Sequence, residues 1–386
     1  MKIINDDKNQ MKNTSKKQYI PLYYHSVKNR FNLINKLIIS TIILVSLFLI
    51  SLFIIRCNKN KILKTTLSRK STNNNGQFIK ELKLIVDKEE ILENELMKKH
   101  TTFQLGGPAK YFIKPKSINK IIKIIHLCNK YSIDYFILGN GSNLLVSDKG
   151  YNGLVINIHE DNFSDLKVDQ VEGNHYQITV GGGILMRTLA KKLCLLSLSG
   201  LEDIIDIPGT IGGGIIMNAS AGGKGLIFNS LEKVKVITPD GEIKELSKTE
   251  CELRTRGSML KDNRYMVIEA KFNLIKDDKL VIQKSMADHT SRRYGNQPMY
   301  FLSAGCFFIW IKQNFGSLYE KYKENNLVGY KVGDAMVYPY NIAFIVNLGN
   351  ATSSDVYAVV THIEKIIKSK YNIDIKREVV VLGQFS

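Results

Sequence analysis

Two glycine-rich strings constrain this chain more than any other feature. Leu138-Gly-Asn-Gly-Ser-Asn-Leu-Leu-Val-Ser-Asp148 and Ile207-Pro-Gly-Thr-Ile-Gly-Gly-Gly214 lie about seventy residues apart, each after an apolar segment that reads as a strand or a helix end. Glycine lets the backbone take positive φ and come close to a ligand, so that several N–H groups can converge on a diphosphate with no side chain in the way. Neither string is the GxGxxG of a doubly wound nucleotide domain or the GxxxxGKS/T of a P-loop, and both of those readings lose ground. Gly139, Asn140, Gly141, Ser142 and Asn143 on the first loop, with Pro208, Gly209, Thr210, Gly212 and Gly213 on the second, are the candidate cofactor contacts.

The formal charge of +18 is concentrated at one end. Residues 1–80 carry 15 Lys and Arg against Asp6 and Asp7, whereas the remaining residues carry 39 against 34. The larger part is nearly balanced and holds no recognition motif, so nucleic acid is not an expected partner. The five cysteines (57, 128, 194, 251 and 306) form no CxxC pair and the histidines show no HExxH spacing. A disulfide framework and a metal site are both disfavoured.

Within the basic end, Leu37 to Ile55 is a run of nineteen uncharged, mostly aliphatic residues. As a helix it reaches roughly 28 Å, enough to cross a hydrocarbon core, so a transmembrane helix is expected at 37–55 after a basic segment 1–36. Four basic residues precede it within twenty positions and six follow, which weakly places the larger part in the cytoplasm. The alternative is an organelle-targeting leader. Residues 56–78 are polar and free of acidic groups, and read as a flexible tether, with order beginning near Ile79.

Beyond the tether, helices are predicted over Ser117–Tyr131 and Leu185–Leu196 from apolar spacing, and strands over Tyr135–Leu138, Leu154–Ile158 and Gln177–Val180. Val234–Thr238 and Glu242–Leu246 flank Pro239-Asp-Gly241 as a hairpin, and Tyr265–Ile275 predicts a strand before a polar helix ending near Arg293. The last ninety or so residues predict a strand at Phe301–Trp310, a helix near Ser317–Asn325, a strand Ala343–Leu348, a helix Asp355–Tyr371 and a strand Val379–Leu382, a small unit of its own. Alternation without long apolar parallel runs indicates an α+β fold.

Four blocks, His100-Thr-Thr-Phe-Gln-Leu-Gly-Gly-Pro-Ala109, LGNGSNLLVSDKG at 138–150, SGLEDIIDIPGTIGGGIIMNAS at 199–220 and LSAGCFF at 302–308, resemble the UDP-N-acetylenolpyruvoylglucosamine reductase family. The likeness runs in order over about residues 90–384. It implies an FAD-binding fold of the vanillyl-alcohol-oxidase type in two subdomains at 79–298 and a C-terminal α+β substrate domain at 299–386. It also implies FAD and NADPH as cofactors, a UDP-sugar as the small-molecule partner, and a role in making the muramic acid precursor of peptidoglycan.

Reducing an enolpyruvyl ether puts a hydride on the terminal alkene carbon and negative charge into a carboxylate-stabilised enolate, which then takes a proton. The resemblance assigns these tasks to an Arg in a YRxS-like string, a Ser after SAG and a Glu near the C-terminus. The matching positions are Arg256, Cys306 and Glu378, with cysteine in place of the family serine. A thiol near pKa 8.5 is mostly protonated at pH 7 and keeps the donor role. Arg292 and Arg293, before Gln297-Pro298, match an RRxxxQP segment and are the candidate diphosphate contacts. On the substrate side the chain departs from the family pattern at Ile309 and Trp310 and over Tyr338–Asn347. A flavin oxidase or dehydrogenase of the same fold, or a non-catalytic flavoprotein, remains the alternative.

Overall fold

The computed structural model describes residues 75–220, 229–309 and 318–385. The expected membrane segment 37–55, its basic flank and most of the tether lie outside the described residues. Among the described residues no helix is long and apolar enough to cross a membrane.

A four-stranded sheet has the order Ile91–Leu96, Pro108–Ile113, Tyr151–Asn157, Tyr135–Leu138. Its first pair is antiparallel and the rest are parallel. Helix Ile118–Tyr131 carries the chain between two strands that run the same way, the connection that parallel strands require. Ser117 caps its start by accepting from the Lys120 N–H, and Ser132 ends it at φ 54°. Ile121, Ile124, Ile125 and Cys128 share the helix face buried against Tyr111, Ile113, Leu154 and Ile156.

The second sheet is six-stranded and antiparallel, in the order Ile243–Ser247, Leu231–Ile237, Met266–Lys276, His175–Gly181, Leu166–Glu172, with Leu198–Ser199 beside Met266–Lys276. The predicted hairpin is its edge pair, and Gly241 takes φ 84° in the turn. Leu189 and Leu193 of helix Met186–Leu195, with Ile211 and Ile215 of helix Ile211–Ile216, bury against Ile178, Val234 and Phe272. The fold is thus mixed α and β, as the alternation of elements predicts.

The C-terminal part departs from the expected order of elements. Its three-stranded sheet consists of Lys331–Val332, Ala335–Val337 and Ile345–Asn347, covered by helix Ser353–Tyr371. Phe301 to Ile309 does not form the predicted strand; Gly305 at φ 79° breaks the run, and isolated bridges tie Leu302 to Asn347, Cys306 to Phe344 and Phe308 to Arg377. Nor does Val380–Leu382 close the local sheet. It runs parallel to Leu144–Val146, directly after the first glycine loop. Phe103, Leu105 and Leu145 share one core with Val356, Val360 and Ile363, so the last ninety or so residues pack as an extension of what precedes them.

Order also starts earlier than the tether reading places it, since residues 75–85 are helical. Phe78 is fully buried, its ring 5.7 Å from that of Tyr111 and 6.2 Å from that of Tyr131. Truncating a buried phenylalanine leaves a cavity that costs about 3–5 kcal/mol. Phe78→Ala in the full chain is therefore expected to lower the free energy of unfolding by about that amount, read from the shift in denaturant midpoint. A shift below about 1 kcal/mol would mean that the helix does not belong to this core.

Candidate active site

A cavity of about 590 Å³ lies where the two sheets and the C-terminal part meet. Gly139 to Asn143 line it from one side and Pro208, Gly209, Thr210 and Gly213 from another. Its size falls within the ordinary range for cofactor and ligand sites.

The first loop is built so that its carbonyls face away from the cavity. Leu138 O accepts from Ile158 N–H at 2.8 Å and Asn157 Nδ2 at 3.1 Å, Gly139 O from Asn157 Nδ2 at 3.0 Å, and Gly141 O from Thr102 N–H at 3.3 Å. No acceptor among the described residues meets the N–H groups of Asn140, Gly141 and Ser142. Successive N–H groups left open on a cavity wall form an anion nest, which fits the diphosphate of FAD. Gly141 is required by its own backbone: φ is +63°, and a Cβ there would stand 2.0 Å from His100 O. The expected conflict between a side chain at 141 and a diphosphate is therefore preceded by a conflict with the protein itself.

In the second loop, Thr210 caps helix Ile211–Ile216 by accepting from Gly213 N–H at 3.3 Å. Gly213 faces outward, and a Cβ there would meet only Thr210 Oγ1, at 3.3 Å. Gly212 turns the other way; it is buried, its N–H donates to Gly182 O, and a Cβ would press on Gly182 O and Val267 O at 3.0 Å. Its glycine serves packing against the second sheet, not the cavity wall.

Arg256, Cys306 and Glu378 all line the same cavity. Arg256 sits at φ 57° in a turn closed by paired hydrogen bonds between Arg254 and Gly257. A non-glycine residue in this region stores strain that the surroundings must hold. The Arg256 guanidinium reaches Glu378 Oε1 at 3.2 Å from Nε and Ser220 O at 3.3 Å from Nη1. Glu378 is placed by its own N–H donating to Phe307 O at 2.9 Å, while the neighbouring Arg377 turns away to pair with Glu364 at 2.6 and 2.7 Å. Burial pushes the Glu378 carboxyl up, and the charges of Arg256 and Lys261 pull it back. Burial, then the charge of Glu378, pushes the Cys306 thiol up to about 11, against the opposing pull of Arg256 and Arg293.

The two adjacent arginines part company. Helix Lys279–Asn296 advances about 100° per residue, so neighbours cannot share a face. Arg293 lines the cavity, and its buried Nε meets no partner among the described residues. Burial holds its guanidinium below the usual range, with Asp206 opposing. A guanidinium with an unpartnered buried nitrogen on a cavity wall favours an anionic ligand. Arg292 is exposed, contacts His289 Nδ1 at 2.5 Å and does not line the cavity.

The residues that support this site carry little signal in the sequence. Thr102 donates through Oγ1 to Ser303 O at 2.7 Å, and Asn218 donates to Arg254 O at 3.0 Å, holding the Arg256 turn. Both stand inside the quoted blocks, yet single polar residues there give no hint of such a task. Ile309 donates its N–H to Lys376 O at 2.8 Å; Trp310 lies outside the described residues.

Family models agree with this geometry. Residues 109–247 match an FAD binding domain and residues 297–382 the C-terminal domain of UDP-N-acetylenolpyruvoylglucosamine reductase. A protein of that name from Lachnoclostridium phytofermentans is 36% identical over 310 residues, covering 80% of this chain and 98% of the relative. One from Clostridium novyi is 38% identical over 307 residues, covering 80% and 97%. The chain belongs to the UDP-N-acetylenolpyruvoylglucosamine reductase family. A crystal structure of the reductase from Thermus caldophilus superposes with a TM-score of 0.61 at 30% identity, covering 76% of this chain and 98% of that one.

Three outcomes are expected for this member of the reductase family. Gly141→Ala is expected to lose both bound flavin and about 1 kcal/mol or more of stability, because φ is positive and His100 O blocks the methyl. Gly213→Ala is expected to fold normally and bind flavin less tightly, since its methyl projects toward the cavity; flavin content and thermal unfolding separate the two. Cys306 alkylation by iodoacetamide, read on its own peptide by mass spectrometry, is expected to rise about tenfold per pH unit from pH 7 toward the thiol pKa of about 11. A rate already level at pH 8 would contradict that electrostatic setting.

Proposed function

We propose that this chain reduces the enolpyruvyl ether of UDP-N-acetylglucosamine to UDP-N-acetylmuramate, with NADPH as reductant and FAD as the resident cofactor, in peptidoglycan precursor synthesis. The observation that carries this reading is a likeness spanning nearly the whole length of the reductase relatives, 98% of one and 97% of another. The gathering of Arg256, Cys306 and Glu378 on one cavity supports it chemically.

The nest of Asn140, Gly141 and Ser142 and the facing residues Pro208 to Thr210 and Gly213 are suited to hold FAD. The chemistry FAD supplies when bound is hydride relay from NADPH to the terminal alkene carbon. Arg256 offers a cation beside the substrate carboxylate, where charge grows as the hydride arrives, and Glu378 fixes its direction through the 3.2 Å pair. Cys306, protonated at neutral pH, gives its proton to the adjacent carbon, and water restores it. Hydride and proton together convert the alkene to the lactyl ether. Arg293 is suited to meet the substrate's diphosphate with its free Nε; Arg292 is left outside that role.

Segment 37–55 is the proposed single membrane anchor, on the strength of nineteen uncharged residues with a basic excess behind them. It holds the catalytic part at the cytoplasmic face through the tether beyond Arg56; an organelle-targeting leader is the alternative. The proposed division is an FAD-binding part at 79–298 and a substrate-binding part at 299–386; the family-model matches at 109–247 and 297–382 support it.

The test is anaerobic. NADPH added to purified full-length protein is expected to bleach the flavin absorbance, and the enolpyruvyl nucleotide to restore it. Recovery only on admitting dioxygen would assign an oxidase instead. Cys306→Ala is expected to keep bleaching near normal and slow the restoration by about a hundredfold or more, with Cys306→Ser recovering much of the rate. An undiminished alanine variant would make the thiol a packing residue.

A further inference from the structure

The two glycine loops are joined by one side chain, and that side chain is itself held by another. Asn140, in the first loop, donates from Nδ2 to Pro208 O of the second loop at 3.0 Å. Its Oδ1 lies 3.1 Å from His159 Nε2. With Nδ2 committed to a carbonyl, Oδ1 is the acceptor and His159 must donate from Nε2. Turning the amide over would set its oxygen against Pro208 O and lose that bond.

His159 is well placed for the task. It stands two residues beyond strand Tyr151–Asn157, whose last residue, Asn157, already holds the Leu138 and Gly139 carbonyls. The His159 backbone is fixed in turn: its N–H donates to Asn162 Oδ1 at 2.8 Å and its carbonyl accepts from Asn162 and Phe163 N–H groups. Behind the loop is a smaller cavity of about 280 Å³, lined by polar groups that include Lys99, His100 and Lys114. The residues that line this cavity beside Asn140 are polar, charged or glycine, and the bonds to Pro208 O and His159 Nε2 set the orientation of its amide.

We propose that His159 is a positioning residue for FAD: through the chain His159 to Asn140 to Pro208 it sets the spacing of the two loops that hold the cofactor. The inference rests on the flavin-binding reading of the loops and not on the identity of the substrate. His159 acts behind the loop wall; it lines the smaller cavity and not the larger one.

A double-mutant cycle tests this on full-length protein stripped of flavin, with FAD affinity read by flavin fluorescence and thermal unfolding of the flavin-free protein followed in parallel. One lost hydrogen bond of this kind corresponds to about a three- to tenfold weaker dissociation constant, the change expected for His159→Ala. Asn140→Ala is expected to cost at least as much, and the double variant no more than Asn140→Ala alone, because both singles break one chain. His159→Gln, which can still donate an amide N–H, is expected to recover affinity to within about twofold of the parent. Asn140→Asp keeps the acceptor for His159 but cannot donate to Pro208 O, and is expected to bind FAD as weakly as Asn140→Ala. An unchanged affinity in His159→Ala, or losses that multiply in the double variant, would overturn the proposal. So would a loss of affinity in His159→Ala accompanied by an equal loss in His159→Gln, which would mark the imidazole as packing. Failure of the parent protein to rebind FAD would refute the flavin reading itself, a separate outcome.

Discussion

The close approach of the Gly141 backbone to His100 O is the constraint on which the site depends. At φ +63° and with no room for a Cβ, the loop can turn its carbonyls toward Asn157 and Thr102 and leave three N–H groups on the cavity wall. The partner segment is the His100-Thr-Thr-Phe block, which also serves the other side of the site. Thr102 Oγ1 holds Ser303 O, and Phe103 O accepts from Asn347 Nδ2 at 3.2 Å. One short segment thus ties the first glycine loop to the loop carrying Cys306. A shift at Gly141 would be felt at both, since packed interiors transmit small displacements.

The candidate trio is assembled from three distant stretches, and each arrives by backbone geometry rather than by its side chain. Arg256 is presented by a strained turn that Asn218 holds from the adjacent helix end. Glu378 lies two residues before a strand that pairs in register with Leu144, and Asn143 at the end of the first glycine loop donates to Glu378 O at 3.2 Å. The first glycine loop and the acidic residue therefore share a single register. Alternation along that stretch sends Arg377 out to Glu364 and Glu378 in to Arg256. Slipping the pairing by one residue would exchange the two and put a second cation where the carboxylate belongs.

Much of this was legible in the sequence, for local reasons. The helix Ile118–Tyr131, the hairpin around Pro239-Asp-Gly241 and the glycine loops announce themselves through periodicity and turn chemistry within a few residues. The family resemblance brought in Arg256, Cys306 and Glu378, of which only Cys306 stands within the four quoted blocks. What stayed hidden depends on partners far along the chain: the parallel pairing of Val380–Leu382 with Leu144–Val146, the burial of Phe78 against Tyr111, and the His159 to Asn140 contact. A polar residue just past a strand looks the same whether it meets water or a loop. The separation of Arg292 from Arg293 was open to a helical-wheel argument and simply follows from the length of the helix they share.

The setting of Cys306 is compatible with the proton-donor role proposed for it. Burial and the neighbouring Glu378 charge disfavour the thiolate, and the two arginines only partly offset them, leaving the thiol at about 11. At pH 7 the thiol is therefore held in its protonated form. The same setting protects it, because oxidation and alkylation proceed through the thiolate. A surface cysteine near pKa 8.5 would have offered about a few per cent of nucleophile at the mouth of a redox site. Here burial and the Glu378 charge keep the thiol protonated despite the two nearby arginines, as the proposed donor role requires. The proposed donor role thus depends on the surroundings of Cys306, where it bridges to Phe344 and where the segment carrying Glu378 bonds to Phe307 O, as much as on the sulfur itself.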